Sequence, residues 1–317
     1  MKRIVYLIQV LILLYSVIAL SGCTLSPPPV STLPQTTNTS VSVQTQSSIP
    51  MQTTSPTIRP TTQPPTTQAP ATEPSAIDLV GTLYTRTYLE SLDNTLHGYG
   101  CGRNYNSIRP HIPIDCQAQW GNLNATFLEA DTPTVYLTFD CGYEFQNLTA
   151  SILDTLQEKN IKAVFFVTMY YCKSQPQLVQ RMIDEGHIIG NHSGNHRSMP
   201  TLSLDVMVAE ITSLHEYVKD TFGYEMTLFR PPKGEYSTRS LAVAQSLGYR
   251  SVFWSFAYQD WITDAQPDTK TALQTVSSCA HNGCIYLLHT VSTTNAKILG
   301  DVIDDLRSRG YTLDLFQ

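Results

Sequence analysis

Thr134-Val135-Tyr136-Leu137-Thr138-Phe139-Asp140-Cys141-Gly142-Tyr143-Glu144 is the stretch on which the reading of this chain turns. Its first half is β-branched, aromatic or apolar and contains no breaker, which predicts a strand. A near-continuous apolar run predicts a strand covered on both faces, as in a parallel sheet or barrel. The run stops abruptly at Asp140-Cys141-Gly142. An acid at the C-terminal end of such a strand stands where α/β folds keep their chemistry. Taken alone, the stretch supports equally well a plain structural role, with Asp140 capping a helix that begins near Gln146.

Working outward, the pattern downstream is regular. Helix 146–159, strand 162–168, helix 175–185 and strand 187–191 follow. A long helix over 203–220 precedes strand 227–230 and helix 238–247. Strand 251–255, helix 269–280, strand 284–289, helix 295–308 and a last short strand at 311–315 complete the series. Strands alternating with helices imply a parallel sheet, here long enough to close into a (β/α) barrel. Upstream, residues 77–131 read as an irregular section punctuated by Gly81, Gly98, Gly100, Gly102, Pro110 and Pro113, with one helix inside 83–96.

Residues 24–76 are a different kind of chain. Ser, Thr, Pro and Gln dominate, and Arg59 and Glu73 are the only charges. Such a segment has too little apolar surface to offset its ordering entropy, which predicts an extended, disordered linker. Before it, Met1-Lys2-Arg3 is basic, Ile4 to Leu20 is almost wholly apolar, and Leu20-Ser21-Gly22-Cys23 closes the run. This resembles the lipobox of bacterial lipoproteins and implies cleavage before Cys23 and a lipid on its sulfur. Acyl chains hold a protein at a membrane because each buried methylene adds ~0.8 kcal/mol. The net charge of −6, with no basic run, gives no electrostatic case for nucleic acid.

The strand ends carry a set of polar groups. Asp140-Cys141 ends the first regular strand and Asn191-His192-Ser193-Gly194-Asn195-His196 the third. Arg230-Pro231-Pro232-Lys233-Gly234 ends the fourth, Tyr258-Gln259-Asp260-Trp261 follows the fifth, and Leu287-Leu288-His289 ends the sixth. Polar groups from separated stretches at the same end of their strands are hard to explain by packing. His192 and His196, four apart, present two imidazoles to one metal either on a helix or in a tight loop; Gly194 and Asn195 favour the loop. Asp140 suits a metal ligand or a general base. Arg230, pinned by two prolines, suits a group that keeps that carboxylate ionised and aimed. His289 suits a general acid with Asp260 hydrogen-bonded to its ring, although a lone histidine ending an apolar strand is more often a satisfied core residue.

In this order, Thr138-Phe139-Asp140, His192-Ser193-Gly194-Asn195-His196, Arg230-Pro231-Pro232-Lys233-Gly234, Asp260-Trp261 and Leu287-Leu288-His289 resemble the motifs of the polysaccharide deacetylases with the NodB homology domain (carbohydrate esterase family 4). The resemblance runs from Thr134 to about Leu315, within the predicted domain of residues 132–317, and implies a distorted (β/α) barrel. It also implies metal-assisted removal of an acetyl group from a sugar. Tyr136 to Glu144, Glu185 to His192 and Ile285 to Ser292 with Asn295-Ala296 are similar to the PdaA-type peptidoglycan N-acetylmuramic acid deacetylases. Those contribute to muramic δ-lactam formation. Deacetylases of N-acetylglucosamine polymers or acetylated xylan, and a non-catalytic wall-binding protein, are the alternatives.

Carried over residue by residue, the resemblance makes Asp140 the base, with Arg230 orienting it. His192 and His196 become ligands of a divalent metal, Zn2+ first. The Lys233 backbone N–H becomes an oxyanion donor, and Trp261 and Tyr143 parts of the sugar-binding wall. Asp260 tunes His289, the acid. A monomer acting on peptidoglycan and tethered outside the cytoplasm through Cys23 is implied. The departure is Cys141, where most of the family has a second acidic ligand. It is read either as a thiolate ligand or as tied in a disulfide. Six cysteines remain beyond Cys23, and an exported even set suggests disulfides. Cys101–Cys116 and Cys279–Cys284 are the favoured pairs by closeness in sequence, with Cys141–Cys172 a further option.

Overall fold

The computed structural model describes residues 83–316. The expected signal segment, Cys23 and the expected linker of residues 24–76 lie outside the described residues. Among the described residues no helix is long and apolar enough to cross a membrane.

The sheet is built on β3, Thr134–Cys141, the strand read first in the sequence. Its partners are β4 (Val164–Val167) and β10 (Cys284–His289), both parallel. β5 (Ile188–Asn191), β6 (Leu228–Phe229), β8 (Arg250–Val252) and β2 (Ala125–Thr126) extend one side, and β9 (Phe256–Ala257) the other. The order is β2-β8-β6-β5-β4-β3-β10-β9, and β11 (Thr312–Leu313) pairs with the start of β3. β1 (His97–Gly98) and β7 (Glu235–Tyr236) form a separate antiparallel pair beside it.

The sheet curls into a half-barrel, and the chain itself spans the remaining gap. The expected strand 251–255 breaks after Val252, so that β8 and β9 belong to opposite ends of the sheet. Between them the Phe253 N–H donates to Thr126 C=O at one end, at 2.8 Å. The Ser255 N–H donates to Ile285 C=O at the other, at 2.9 Å. This is the distortion in the barrel: closure runs along one crossing segment rather than between two paired strands.

Two cores follow from the period-2 alternation of β3. Val135, Leu137, Phe139 and Cys141 face outward into a layer shared with the helices, and Tyr136 packs on the inner cluster. Helix α3 (Leu148–Glu158) follows the site strand and buries Ile152, Leu153 and Leu156 against the outer face. Full burial of each such side chain is worth about 1.5–3 kcal/mol. Helices α5 (Pro176–Asp184), α6 (Leu204–Phe222), α7 (Thr238–Ser246), α8 (Thr269–Ser278) and α9 (Thr293–Ser308) occupy the expected intervals within a few residues.

Helix α2 (His111–Trp120) was not expected, because Pro110 and Pro113 read as breakers. Pro110 is its N-cap and Pro113 falls in the first turn, where a missing N–H removes no intrahelical bond. The helix expected inside 83–96 is α1, Arg86–Ser91, capped by the Thr85 side chain. A short α4, Met169–Ser174, was also missed; the Thr168 side chain caps it by accepting from Tyr171 N–H.

The six described cysteines, Cys101, Cys116, Cys141, Cys172, Cys279 and Cys284, are free thiols in this structure. The expected pairs are not joined. All but Cys116 are buried, where they pack as small apolar side chains.

Gly283 allows β10 to start where it does. Its φ is +68°, and an added Cβ would stand 2.4 Å from Glu129 C=O and 2.5 Å from Ala130 C=O, both backbone. Left-handed backbone costs a non-glycine residue about 1–2 kcal/mol, and the clash adds to it. Gly283→Ala is expected to lose at least ~2 kcal/mol of unfolding free energy in denaturant titration. An unchanged midpoint would show that this turn yields freely.

Candidate active site

Parallel register sets the first pair of site residues side by side. His289 of β10 is level with Asp140 of β3, and Asp140 is level with Phe166 of β4. Phe166 is in turn level with Gly190 of β5. An added Cβ at Gly190 would meet the Phe166 ring at 2.4 Å, so the glycine leaves room for that ring. The ring lies 4.0 Å beneath the Arg230 guanidinium carbon.

Arg230 has no exposed surface. Its guanidinium donates to Asp140 Oδ1 at 2.8 Å, Thr138 Oγ1 at 2.8 Å, Val252 C=O at 3.0 Å and Phe253 C=O at 3.1 Å. Only a planar fork with five donors satisfies four acceptors in this way. Burial pushes the Asp140 carboxyl up, but the Arg230 charge and hydrogen bond, with the nearby His192 and His289 imidazoles, together outweigh it and hold the group below the usual carboxylate range. Asp140 is therefore ionised near neutral pH.

His192 and His196 lie on the loop after β5, not on a helix. Ser193 and His196 both adopt positive φ, and the Ser193 Oγ accepts from His196 N–H at 2.9 Å. The turn brings the two imidazole centroids to 4.7 Å. The His192 Nδ1–H donates to Arg230 C=O at 2.9 Å, which leaves Nε2 as the bare nitrogen. Burial pushes this imidazole down to about 4, so it is neutral at pH 7. Its Nε2 lone pair thus faces Asp140 Oδ2 at 3.4 Å with no proton between them.

Two acceptors opposed in this way fit a cation. A 3.4 Å separation is close to that of two ligands each ~2.1 Å from one ion at a near-tetrahedral angle. Among the described residues, no group of three or more His, Cys, Asp or Glu side chains is placed to hold a metal ion. Any cation at this pair would need water and substrate to complete its coordination.

Cys141 is no part of it, which corrects the expectation of a thiolate ligand. One residue beyond Asp140 on a strand, its side chain turns to the opposite face, fully buried in the outer core. Burial pushes its thiol well up, so it stays protonated there.

Across the cleft, the His289 Nδ1–H donates to Asp260 Oδ1 at 2.7 Å, and its Nε2 is left for the cleft. Asp260 has no exposed surface; its Oδ2 accepts from the His289 backbone N–H at 2.8 Å and from Asn295 Nδ2 at 2.5 Å. The Tyr258 hydroxyl donates in turn to Asn295 Oδ1. Burial pushes the His289 imidazole down, but the Asp260 carboxylate outweighs it and holds its pKa above the ordinary value. Asp260 thus favours the protonated, donor form of His289. Its ring packs 5.5 Å, centroid to centroid, from the half-exposed Trp261.

Asp140, His192, His196, Trp261 and His289 line a cleft of about 820 Å³, with Tyr143 on its wall. They also line an adjoining one of about 780 Å³, where Lys233 stands. The predicted catalytic, sugar-binding and metal-ligating residues other than Arg230, Asp260 and Cys141 thus line these clefts, and Arg230 and Asp260 lie beneath.

Several supporting residues were given no role in the sequence reading. Thr138 and Asn295 stand in motifs that it quotes, but their hydrogen bonds are set by the fold. Asn191 accepts the Ser193 N–H at 2.8 Å through Oδ1, fixing the start of the histidine loop. Glu210, buried on α6, accepts from Asn195 N–H at 2.7 Å and from Asn195 Nδ2 at 2.9 Å, while its backbone carbonyl accepts from Gly194 N–H at 2.7 Å. A buried acid on a helix is a recognisable signal, but its partner lies 15 residues away.

Glu210→Gln would aim an amide donor at an amide donor. It is expected to lose about 1–3 kcal/mol of stability. It should also weaken Zn2+ binding in calorimetric titration about 10- to 100-fold, as loss of a group that orients ligands does. Unaltered Zn2+ affinity would show that Glu210 does not hold the histidine loop.

The geometry agrees with comparisons to known proteins. The polysaccharide deacetylase family profile matches residues 128–252. The peptidoglycan-N-acetylmuramic acid deacetylase PdaA of Bacillus subtilis is 42% identical over 229 residues, 70% of this chain and 85% of its own. The solved structure of B. subtilis PdaA, a family 4 carbohydrate esterase, superposes with a TM-score of 0.67 at 40% identity, covering 70% of this chain and 96% of that one. A family 4 carbohydrate esterase from Bacillus anthracis gives 0.59 at 37% identity, over 71% and 95%. This chain belongs to the polysaccharide deacetylase family, the family 4 carbohydrate esterases.

Proposed function

We infer that the protein removes the N-acetyl group from N-acetylmuramic acid in peptidoglycan. The observation that carries this reading is the opposition of two charge dyads across one cleft. The Asp140–Arg230 pair holds a base ionised, and the His289–Asp260 pair favours the protonated form of an acid. The similarity to an N-acetylmuramic acid deacetylase over 85% of that protein's length supports the substrate.

In the reaction Asp140 takes a proton from water as its oxygen attacks the acetyl carbon. His289 gives a proton through Nε2 to the departing amine, so that acetate and a free amino sugar leave. The Lys233 backbone N–H, in a turn with φ 62°, donates to the oxyanion. Trp261 and Tyr143, both partly exposed at the cleft, offer faces to the sugar rings. A divalent cation held by His192 and His196 beside Asp140, Zn2+ first for imidazole donors, would supply Lewis-acid polarisation of the acetyl carbonyl. The chain works as a monomer outside the cytoplasm. It is tethered by a lipid on Cys23 and reaches the wall through residues 24–76, and its product feeds muramic δ-lactam formation.

The test is acetate release by the full chain from purified peptidoglycan, with mass analysis of the muropeptides, with and without a chelator. Chelator-sensitive loss of acetyl from muramic acid is expected. Loss from glucosamine alone would move the substrate to N-acetylglucosamine polymers, and none from any glycan would leave a wall-binding protein. Asp140→Asn and His289→Ala are each expected to lower kcat by about 10²–10⁴; full activity in either would remove its role.

The pH profile has a worked sign. His289 must be protonated, and Asp260 raises its pKa, so activity falls as pH rises through that raised value. Asp260→Asn removes the carboxylate, and the alkaline limb is expected to move to lower pH. A limb that stays in place would assign it to another group.

A further inference from the structure

The two clefts that meet over Asp140 and His289 differ in charge. The one walled by Tyr143 and Tyr170 is lined by no Lys or Arg. The other holds both Arg103 and Lys233, and its only acid is Asp140, whose Oδ1 is already taken by Arg230. Arg103 and Lys233 are exposed, and neither has an ion-pair partner among the described residues.

These two cations also spring from tied backbone. Lys233 sits at φ 62° between Pro232 and Gly234, and Gly234 N–H donates to Pro231 C=O at 3.1 Å. Arg103 follows Gly102, at φ 67°, and the buried Cys101. The two segments are joined: Tyr99 N–H donates to Gly234 C=O at 3.0 Å, just beyond the β1–β7 pairing, and the Tyr99 hydroxyl donates to Trp254 C=O at 2.6 Å. Two unpaired cations on hydrogen-bonded neighbouring segments, opening on one cleft, are the recognition chemistry of a carboxylate.

We propose that Arg103 and Lys233 form an anion subsite that reads a carboxylate on the sugar being deacetylated, the lactyl carboxylate of muramic acid. This rests on the proposed function and deepens it. The lactyl ether of muramic acid is on the ring carbon next to the one that bears the acetamide. A sugar placed with its acetyl group between Asp140 and His289 therefore carries the carboxylate beside the reacting centre. N-acetylglucosamine has a hydroxyl at that carbon and offers the pair nothing. The subsite distinguishes the two sugars by charge, and it also distinguishes a free lactyl carboxylate from one masked as an amide.

The experiment compares kcat/KM for acetate release from muramic-containing glycan strands with the lactyl carboxylate free or converted to its methylamide. The full chain is used as wild type, Arg103→Gln, Lys233→Asn and the double variant; asparagine tolerates the left-handed backbone at 233. The free-to-amide ratio is expected to fall about tenfold in each single variant and further in the double. Arg103→Lys, which keeps the charge, should restore much of it, and raised salt should lower the ratio in wild type but leave that of the double variant unchanged. An unchanged ratio in the double variant would overturn the subsite. Calorimetric binding of the free-carboxylate strand to the same proteins reads the charge without turnover. If no glycan is deacetylated yet the double variant binds that strand about tenfold or more weakly, the functional reading fails and the subsite stands. Equal binding by wild type and double variant removes the subsite.

Discussion

A guanidinium with no exposed surface holds this structure together at its centre. Arg230 enters the curled sheet from the end of β6 and is satisfied only because two separate stretches deliver acceptors to it: Asp140 and Thr138 from β3, and the carbonyls of Val252 and Phe253. A buried charge is costly unless it is paired and hydrogen-bonded. The position of every one of those stretches is therefore constrained by the same group. Phe166 closes the underside, and the missing side chain of Gly190 lets it do so. The crossing segment that completes the barrel starts at the two carbonyls Arg230 binds. Closure of the fold and ionisation of Asp140 are thus consequences of one interaction.

The second dyad repeats the logic with the sign reversed. Asp260 is buried without a Lys or Arg and is satisfied by His289 through both ring and backbone N–H, and by Asn295. Its charge and hydrogen bond raise the His289 pKa where burial alone would lower it. The two opposite shifts, Asp140 lowered and His289 raised, result from two different counter-charges placed beneath the cleft. Because both counter-charges lie below the surface, the cleft presents Asp140 and His289 and leaves its walls to other side chains.

The site strand, the histidine loop and the order of the other strand ends were legible because each depends on local chemistry. The apolar run of β3, the prolines after Arg230 and the Gly-Asn turn between two histidines each carry their own conformational preference. Helix α2 was not legible: prolines that break a helix interior are harmless as N-cap and in a first turn, and only the actual start of the helix shows which applies. The break after Val252 was equally hidden, since nothing in Phe253-Trp254-Ser255 marks a crossing from one end of the sheet to the other. Glu210 and Asn295 act through partners that the fold supplies.

By itself, the sequence determined the parallel α/β architecture, the strand whose end bears Asp140, and the groups that gather at the strand ends. These follow from side-chain periodicity and turn chemistry, which act over a few residues. Tertiary structure alone decided that Cys141 turns away from the site, because one step along a strand reverses the face. It alone decided that His192 is neutral with Nε2 bare, because the partner that orients it is a backbone carbonyl from another strand. It alone decided that Arg103 and Lys233 open on one cleft. Their segments are 130 positions apart in the chain and are joined only by hydrogen bonds that form once the barrel has curled.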